Sequence, residues 1–577
     1  MAGPEDDKLI RVNMTDQTVS VEPFPEEWKL LGGRALSARI LATECDPKCD
    51  PLGPDNLLVM APGVLGGSAA PTSGRISFGA KSPLTGGIKE TNSGGNPGQQ
   101  LMKLGYRAIV VAGQPENANR RWGLEVSEDG AELVEADDAR GLWNYSLCEK
   151  LRETHDDSAS FICIGPAGEN RLAAASIATT DQDNRFPNRH AGRGGLGAVM
   201  GSKGLKYVAL SPGKARVRSA ANREGFTAFN RRMTEGYRNG PQAFQGGTSA
   251  FVSVANALNT VPYKNRTEGQ SPDVQTLDGS GIMESFKTRG GKMHACLSGC
   301  VIQCSNIVHD ADGNYKTSGL EFETLTLLGS NIAVKSWEEV AELDRLCDDV
   351  GLDTIETGAA IAVLMDAGGA EWGDTEAAKR IIGEEIARNT ELGRIVGNGA
   401  VSVGKEYEHW RVPAVKGQAL PAWDPRPLKV IGVTYATSAM GADHTAGMAT
   451  DPSIPEDKLA QTSQQLQITN AVADSSGFCM FLSPTLDDIR EAYGLMYDEE
   501  VTRDQIADMG WQCLEDEWAF NDGAGFGEDD DDLPACLREE GIGPDGMFKF
   551  DVSPEIIRQV KTRMPLPDEA FTGGATA

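Results

Sequence analysis

The chain has no long hydrophobic run. Its longest apolar stretches, such as 56–65 (NLLVMAPGVL), are interrupted by proline and glycine. They fall short of the roughly 20 apolar residues that a membrane-spanning helix needs, so we expect no membrane span. The acidic start MAGPEDDK also lacks a basic segment followed by an apolar one. The sequence therefore predicts a cytoplasmic protein without an export signal.

Basic residues are scarce relative to acidic ones. The chain has 54 Lys and Arg against 84 Asp and Glu, a formal net charge of −30. Nucleic acid is not an expected partner, because its backbone is bound mainly by Lys and Arg that neutralise phosphates. The chain is otherwise ordinary, with 40% hydrophobic and 24% charged residues, which indicates a folded globular protein. Its 577 residues exceed the roughly 250–300 at which one core stops growing, so we expect several domains.

The pattern of apolar residues changes along the chain. Short β-rich segments separated by glycine and proline predict sheets with tight turns near the N-terminus, at 57–60, 76–80, 108–112, 161–164, 173–177 and 207–210. Helical spacing follows at 337–350, 354–367, 377–389, 459–472 and 486–496, and Ser336 is placed to cap the first of these helices. No tandem repeat is visible.

These segments predict a multi-domain α+β protein. We expect a β-rich domain at 1–210 and two mainly helical domains at 211–415 and 416–577. The second boundary is set by the stretch KGQALPAWDPRP, 416–427, whose prolines cannot continue a helix interior.

Three cysteines form the spacing C-x3-C-x3-C at Cys296, Cys300 and Cys304. Three thiolates this close can face one metal centre, and a fourth would complete the ligand set of a [4Fe–4S] cluster. Zinc is less favoured, because its closely spaced cysteines usually come as two pairs. The spacing does not choose the fourth ligand from Cys45, Cys49, Cys148, Cys163, Cys347, Cys479, Cys513 and Cys536.

Two short motifs echo each other in the form D-x-x-G-[LF]-[DC], at 348–353 (DDVGLD) and 474–479 (DSSGFC). In each a helix is predicted to end at the glycine, with carboxylates that accept hydrogen bonds from a ligand rich in N–H donors. Two such sites suit a ligand with two similar halves. On spacing alone, two helix ends with nearby acidic residues are the simpler interpretation.

Two loops combine glycine with arginine: TSGR (72–75) leading to TNSGG (91–95), and AGRGGLG (191–197). Glycines let backbone N–H groups approach an anion and arginine offers a forked positive charge, so both loops could hold phosphate or simply be turns. Neither is a dinucleotide-binding G-x-G-x-x-G fingerprint, and no P-loop motif occurs in the chain.

Taken together, these motifs resemble the tungsten-containing aldehyde ferredoxin oxidoreductase family over essentially the whole chain. The matching stretches, in order, are GGRALSARIL, TSGRISFGAKSPLTG with TNSGG, AGRGGLGAVMGSKGLK, the cysteine triplet, EFETLTLLGSN, DDVGLD, YATSAMGADHTAG and DSSGFC. The first cysteine spacing is one residue longer than the C-x2-C-x3-C of the family's founding members. The resemblance implies a tungsten or molybdenum bis-pyranopterin, a [4Fe–4S] cluster and a Mg²⁺ that bridges the pterin phosphates. It also implies that the N-terminal β domain forms a base for the cofactor and that the two helical domains supply the remaining contacts.

The resemblance also implies a role for individual residues. Cluster ligands would be Cys296, Cys300, Cys304 and Cys479. Cofactor-binding residues would be Arg75, Asn92, Arg193, Gly194, Asp348, Gly351, Leu352, Asp353, Asp474, Gly477 and Phe478. Glu323 and His444, one of only 6 histidines, match the family's acid/base pair beside the metal.

The implied reaction is the oxidation of aldehydes to carboxylic acids, with single electrons leaving through the cluster to ferredoxin or an iron–sulfur partner subunit. The expected assembly is a homodimer or a hetero-oligomer. The main rival is the catalytic subunit of an aromatic acyl-CoA reductase of the benzoyl-CoA type, which has its own cysteine near the metal. A non-catalytic iron–sulfur electron-transfer protein is the alternative from another class. Retention of both Glu323 and His444 favours aldehyde oxidation.

Overall fold

The computed structural model describes residues 7–241 and 244–567. Residues 1–6, on which the expectation of no export signal partly rests, lie outside this range. The strands are β1 Lys8–Asn13, β2 Thr18–Pro23, β3 Leu58–Pro62, β4 Ile76–Lys81, β5 Ile88–Ser93, β6 Tyr106–Ala112, β7 Trp122–Ser127, β8 Gly130–Glu135, β9 Ser160–Cys163, β10 Ile177–Thr179, β11 Arg189–Ala191, β12 Leu205–Ser211, β13 Lys292–His294, β14 Ser305–His309, β15 Tyr315–Ser318, β16 Ala414–Val415 and β17 Gln418–Ala419.

The α-helices are α1 Gly33–Glu44, α2 Pro97–Lys103, α3 Asn144–Arg152, α4 Pro166–Glu169, α5 Leu196–Ser202, α6 Arg223–Asn239, α7 Phe251–Ala257, α8 Val274–Leu277, α9 Gly279–Arg289, α10 Phe322–Leu327, α11 Trp337–Val350, α12 Thr354–Asp366, α13 Thr375–Arg380, α14 Glu391–Gly397, α15 Ala400–Glu406, α16 Lys429–Thr437, α17 Leu459–Ser476, α18 Leu486–Tyr497, α19 Arg503–Ala524, α20 Ala535–Glu539 and α21 Pro554–Gln559. The predicted class is confirmed: mixed sheets are followed by a mostly helical region. Among the described residues, none of the helices has the length and apolar character needed to cross a membrane.

The N-terminal region is a structural duplication. Its two six-stranded sheets have the orders β2-β1-β6-β3-β4-β5 and β8-β7-β12-β9-β10-β11. In each sheet the first and last strands of the copy pair in parallel, β1 with β6 and β7 with β12, and the other neighbours are antiparallel. The two sheets share one apolar core, which includes Val12 and Phe78 from the first and Val126 and Ile162 from the second.

The sequence pattern located only part of these sheets. Five predicted segments fall on β3, β4, β6, β9 and β12, whereas β1, β2, β5, β7, β8 and β11 were not expected. The prediction of a strand at 173–177 is wrong, since β10 begins at Ile177. The residues just before β10 bond to the helical region instead: Ser176 N donates to Gly351 O at 2.9 Å.

Each of the five segments predicted as helical falls on a helix. Helix α11 has the predicted bounds, and the Ser336 side chain accepts a hydrogen bond from Glu339 N at its start. The predicted helix at 377–389 is shorter and mixed, because α13 passes into a π-helical turn at Ile381–Ile386. One small sheet, β13-β14-β15, interrupts the helices, and the cysteine triplet occupies the loop between β13 and β14.

Two helix ends dock into the two halves of the duplicated region at equivalent places. Helices α11 and α17 end at Gly351 and Gly477, both in the left-handed conformation. A Cβ on Gly63, which follows β3, would lie 2.0 Å from Gly477 N, and a Cβ on Gly165, after β9, would lie 2.3 Å from Val350 O. Backbone therefore touches backbone at both sites, and only glycine fits there.

We expect Gly63→Ala and Gly165→Ala each to lower the free energy of unfolding by about 1–3 kcal/mol, because the added methyl groups overpack these contacts. Thermal unfolding followed by circular dichroism measures the effect. Gly236→Ala is the matched control: no atom lies within 4 Å of its Cβ position, and alanine is favoured inside a helix such as α6. Unchanged melting temperatures for both docking-site variants would show that these two contacts have room for a side chain.

Candidate active site

A cavity of about 380 Å³ lies where the two sheets meet the helical region. It collects most of the predicted site residues: its lining includes Arg75, Asn92, Arg193, Cys296, Cys304, Glu323, Asp348, Leu352, Asp353, His444, Asp474 and Cys479. Five predicted residues do not line it: Gly194, Cys300, Gly351, Gly477 and Phe478. The two helix-end glycines act through the docking contacts, and Phe478 is fully buried in the core behind the cavity.

The four predicted cluster cysteines are neighbours in space. Cys300 and Cys304 are buried, as is Cys479 at the end of α17. The contact with the Cys300 thiol, together with burial, raises the pKa of Cys296. Burial also raises the pKa of Cys479 to about 11, an effect that the charge of Arg75 opposes. No three His, Cys, Asp or Glu side chains in the described part of the chain close on one metal-ion position.

Thr72 joins the two cysteine-bearing segments. Its carbonyl accepts from Cys479 N at 3.0 Å and its N–H donates to Gly299 O at 3.0 Å. Its hydroxyl oxygen accepts from Val301 N at 3.1 Å. Thr72 has a φ of 57°, a conformation that non-glycine residues rarely adopt. The loop predicted to hold phosphate therefore also aligns the cysteine triplet with Cys479, a role that the sequence did not reveal.

Seven other cysteines lie outside the cavity lining. Cys347 lies within α11 and Cys536 within α20. Cys45 pairs with Cys49, and Cys148 pairs with Cys163. Cys513 lies within α19, with its sulfur 3.7 Å from Glu517 Oε1. None of these lines the cavity. Of the eight candidates for the fourth position, Cys479 is the one that lines the cavity together with Cys296 and Cys304.

Carboxylates of the two echoing motifs face the cavity with unused oxygen atoms. Asp348 Oδ2 and Asp353 Oδ2 are buried without a hydrogen-bond partner. Asp348 Oδ1 lies 3.1 Å from His190 Nε2, and Asp353 Oδ2 lies 3.6 Å from Arg193 Nε. Leaving such groups unpaired costs about 1–3 kcal/mol each, which a ligand with N–H donors would recover.

Asp474 occupies the matching place at the other helix end. Its Oδ1 accepts from Asn92 Nδ2 at 3.2 Å, and Asn92 Oδ1 accepts from Arg75 Nε at 2.5 Å. Arg34 lies 4.0 Å from Asp474 and is itself held by Glu517 through two bonds of 2.8 Å. Burial raises the pKa of Asp474, and the carboxylate of Glu90 adds to this, while Arg34 and Arg75 oppose it.

A second charged group surrounds Asp443. Burial raises its pKa, but Lys89, Arg193 and His444 outweigh burial and hold the pKa far below the usual range. Lys89 donates to Asp443 directly. Arg193 donates to the main-chain carbonyls of Ala442, at 2.6 Å, and Ala419. The Arg193 guanidinium is therefore fixed in place, and its Nε has no hydrogen bond but lies 3.6 Å from Asp353 Oδ2.

Glu323 and His444 approach each other on the same cavity wall. Glu323 Oε1 lies 3.7 Å from His444 Nε2, and Glu323 Oε2 accepts from Ala422 N at 2.6 Å. Glu323 Oε1 and His444 Nδ1 have no hydrogen-bond partner. The hydrogen bond from Ala422 N thus positions Glu323, while Glu323 Oε1 and His444 Nδ1 remain available to a ligand. Apolar side chains line the cavity beside it, with the rings of Phe322 and Trp423 4.7 Å apart.

Several cavity residues were not predicted from the sequence: Thr72 in the loop behind it and, in its lining, Arg189, His190, Glu321 and Asp443. All five lie in or next to a stretch that matches the family. Thr72, Glu321 and Asp443 lie within TSGR, EFETLTLLGSN and YATSAMGADHTAG, and Arg189 and His190 directly precede AGRGGLG. A place in or beside such a stretch was the available signal.

Comparison with known proteins covers most of the chain. The family model of the aldehyde ferredoxin oxidoreductase N-terminal domain matches residues 9–212, and that of its domains 2 and 3 matches 228–562. The tungsten-containing aldehyde ferredoxin oxidoreductases of Pyrococcus furiosus and Thermococcus kodakarensis are each 32% identical, over 94% of this chain and 93% of their own lengths. The WOR-like subunit of a Pyrococcus furiosus aliphatic sulfonate oxidoreductase is 26% identical over 86% of this chain and 83% of its own length.

A solved structure has the same fold. It is the active site complex BamBC of benzoyl coenzyme A reductase with 1,5 dienoyl-CoA, with a TM-score of 0.80 and 18% identity. The match covers 97% of this chain and 94% of that one. At this identity the likeness concerns the fold alone.

We expect Cys479→Ser to lose as much iron as Cys300→Ser, because a [4Fe–4S] cluster needs all four thiolates. Cys513→Ser should keep the wild-type iron content, since its sulfur lies in α19 beside Glu517. Iron per chain is measured on anaerobically purified variants. Equal iron contents in all three would overturn the assignment of ligands.

Proposed function

The chain belongs to the aldehyde ferredoxin oxidoreductase family, and on that basis we propose that it oxidises aldehydes to carboxylic acids with a tungsten–pterin centre. The observation that carries the proposal is the Glu323–His444 pair, which leaves Glu323 Oε1 and His444 Nδ1 unpartnered in the cavity wall. Molybdenum is the alternative metal. Electrons leave singly to ferredoxin or a similar carrier.

The residues around the cavity suit this cofactor set. Asp348, Asp353 and Asp474 would accept the pterin N–H groups, and the unpaired oxygens of the first two favour such a ligand. Arg75, which faces Cys479 and Cys296, would lie between the cluster and the pterin. Asn92, Arg193 and Gly194 would lie at the pterin phosphates and their Mg²⁺. The four cysteines would hold the [4Fe–4S] cluster. When bound, the metal centre takes two electrons from the substrate and the cluster relays them one at a time.

Glu323 and His444 supply the proton chemistry. Glu323 Oε2 is tied to Ala422 N, so Oε1 is the oxygen that takes a proton from the water that attacks the aldehyde carbon. His444 Nε2 faces the same space and, when protonated, donates a hydrogen bond to the aldehyde oxygen. The apolar walls at Phe322 and Trp423 exclude water from the remainder of the site and accept an uncharged substrate.

The reductase alternative has less support. A reductase of the benzoyl-CoA type would need its own cysteine near the metal. The cysteines that line the cavity are Cys296, Cys304 and Cys479, all assigned to the cluster. A non-catalytic iron–sulfur protein would have no use for the buried, unpaired carboxylate oxygens of Asp348 and Asp353.

The electron acceptor is proposed to approach behind the cysteine loop. Cys300 lines a second cavity of about 300 Å³, together with Tyr237, Arg238 and Met293. Ser298, Gly299 and Gln303 of the loop are exposed there. A ferredoxin or an iron–sulfur subunit of a hetero-oligomer would reach the cluster from this side; a homodimer would have to leave it free.

Elemental analysis tests the cofactor set. We expect about one tungsten or molybdenum and about four irons per chain in the anaerobically purified protein, the stoichiometry of one cluster. Viologen reduction should depend on added aldehyde. Full metal content without activity on any aldehyde would favour the thioester reductase, and iron alone would favour the electron-transfer protein.

We expect Glu323→Gln to lower kcat for aldehyde oxidation by about 10²–10⁴-fold, the usual contribution of a general base, with tungsten and iron contents unchanged. Glu342→Gln is the control, because that carboxylate lies outside the cavity and pairs with Lys316 and Lys379. Steady-state kinetics distinguish the two variants. Equal kcat values for Glu323→Gln and the wild type would exclude Glu323 as the base.

A further inference from the structure

A second pair of thiols lies away from both cavities, where α1 ends. Cys45 follows the last residue of α1, and a turn closed by Cys49 N donating to Asp46 O at 3.0 Å brings Cys49 beside it. The two sulfur atoms are 3.8 Å apart. Cys45 is 5% and Cys49 is 9% exposed, so the pair lies just beneath the surface. Neither residue lines the cofactor cavity.

Two buried lysines flank this pair. Lys81 Nζ donates to the carbonyls of Pro47 at 2.5 Å and Cys49 at 2.8 Å. Lys203, which is 0% exposed, donates to the carbonyls of Asn56 and Gly113. All four acceptors are neutral. A buried ammonium held only by carbonyls has no direct ion pair, which is costly.

A thiolate of the pair is a counter-charge next to these lysines. Burial lowers the pKa of Lys203 to about 8, and the nearby sulfur atoms of Cys45 and Cys49 oppose that shift, as does the Asp55 carboxylate. The hydrogen bond from Cys45 and the charge of Lys81 lower the pKa of Cys49; burial and the carboxylates of Asp46 and Asp55 oppose them without reversing the shift. Thiolates in such electropositive and partly accessible places are the reactive ones.

We propose that Cys45 and Cys49 form a redox-active dithiol that exchanges with external disulfides. The Cys49 thiolate attacks one sulfur of a low-molecular-weight disulfide, which expels one thiolate and leaves a mixed disulfide on Cys49. The Cys45 thiol then gives its proton to the departing thiolate as its sulfur attacks Cys49 Sγ. Two electrons pass from the dithiol to the external disulfide, which leaves as one thiolate and one thiol. The sulfur atoms close from 3.8 Å to the roughly 2.05 Å of a disulfide.

The surroundings hold the turn in place for this step. Asn56 Nδ2 donates to the carbonyls of Pro51, at 2.6 Å, and Lys81, at 2.9 Å, and Asn56 Oδ1 accepts from Lys81 N at 3.0 Å. The turn is thus fixed to the end of β4, and closing the sulfur atoms needs only local movement.

The chain contains a matched control pair. Cys148 and Cys163 have their sulfur atoms 3.9 Å apart but are both 0% exposed. The neighbouring Lys206 is paired with the Glu169 carboxylate, so no thiolate is needed there. The contact with Cys163 and burial together raise the pKa of Cys148.

The test treats the anaerobically purified holoenzyme with oxidised glutathione, blocks free thiols and maps peptides by mass spectrometry. We expect a Cys45–Cys49 disulfide and no Cys148–Cys163 disulfide. Cys45→Ser should accumulate glutathione on Cys49, whereas Cys49→Ser should leave Cys45 unmodified. Aldehyde-dependent viologen reduction by the two variants should match the wild type under reducing conditions.

Charge is tested separately. Lys81→Gln should slow alkylation of Cys49 by about tenfold, the factor for a thiol pKa one unit higher. Lys48→Gln, which removes an exposed charge from the same turn, should not. Absence of the Cys45–Cys49 disulfide, or equally fast oxidation of the buried pair, would overturn the proposal. The Cys45→Ser result decides it even if Lys81→Gln does not fold.

Discussion

The structure depends on two places where backbone meets backbone without an intervening side chain. The end of α17 lies against Gly63, and the end of α11 lies against Gly165. Each glycine follows the equivalent strand of one half of the duplicated N-terminal region. Because these contacts leave no room for adjustment, they set the position of Asp474 on one side of the cavity and of Asp348 on the other. The near-symmetry of the cavity walls is therefore a property of the scaffold.

Buried charge is arranged differently around the cavity and beside the Cys45–Cys49 pair, where Lys81 and Lys203 are held by neutral carbonyls. Around the cavity, Arg34 is satisfied by Glu517 and Lys89 by Asp443, so the buried charges are largely paired within the protein. Only single atoms, such as Asp348 Oδ2 and Arg193 Nε, lack a hydrogen bond. These atoms are spread around the cavity wall. Such a cavity therefore favours a large polar ligand with many donors and acceptors over a small ion.

Local sequence signals identified five helical segments, and the family resemblance supplied the predicted site residues, of which twelve line the cavity. Helix α11 was predictable to the residue, since its apolar spacing, Ser336 cap and terminal Gly351 agree with one another. The duplication of the N-terminal region was not predictable from the sequence. No repeat is visible in the residues of the two six-stranded sheets, and β2 and β8 lack well-buried positions. Thr72 was also beyond reach: its contribution is made by backbone atoms and an unusual φ, which residue type does not encode. Family resemblance supplied roles for the remaining residues that periodicity could not.

The order of elements along the chain has a consequence for biosynthesis. The docking sites at Gly63 and Gly165 are synthesised early, but the helix ends that contact them come after residues 350 and 476. Domains fold largely as units as they emerge from the ribosome, so both sheets can form before either helix end has docked. The cavity lining is complete only after Cys479 has been synthesised. Anything enclosed there must enter a nearly finished polypeptide, by the temporary release of one helix end or before the second one docks.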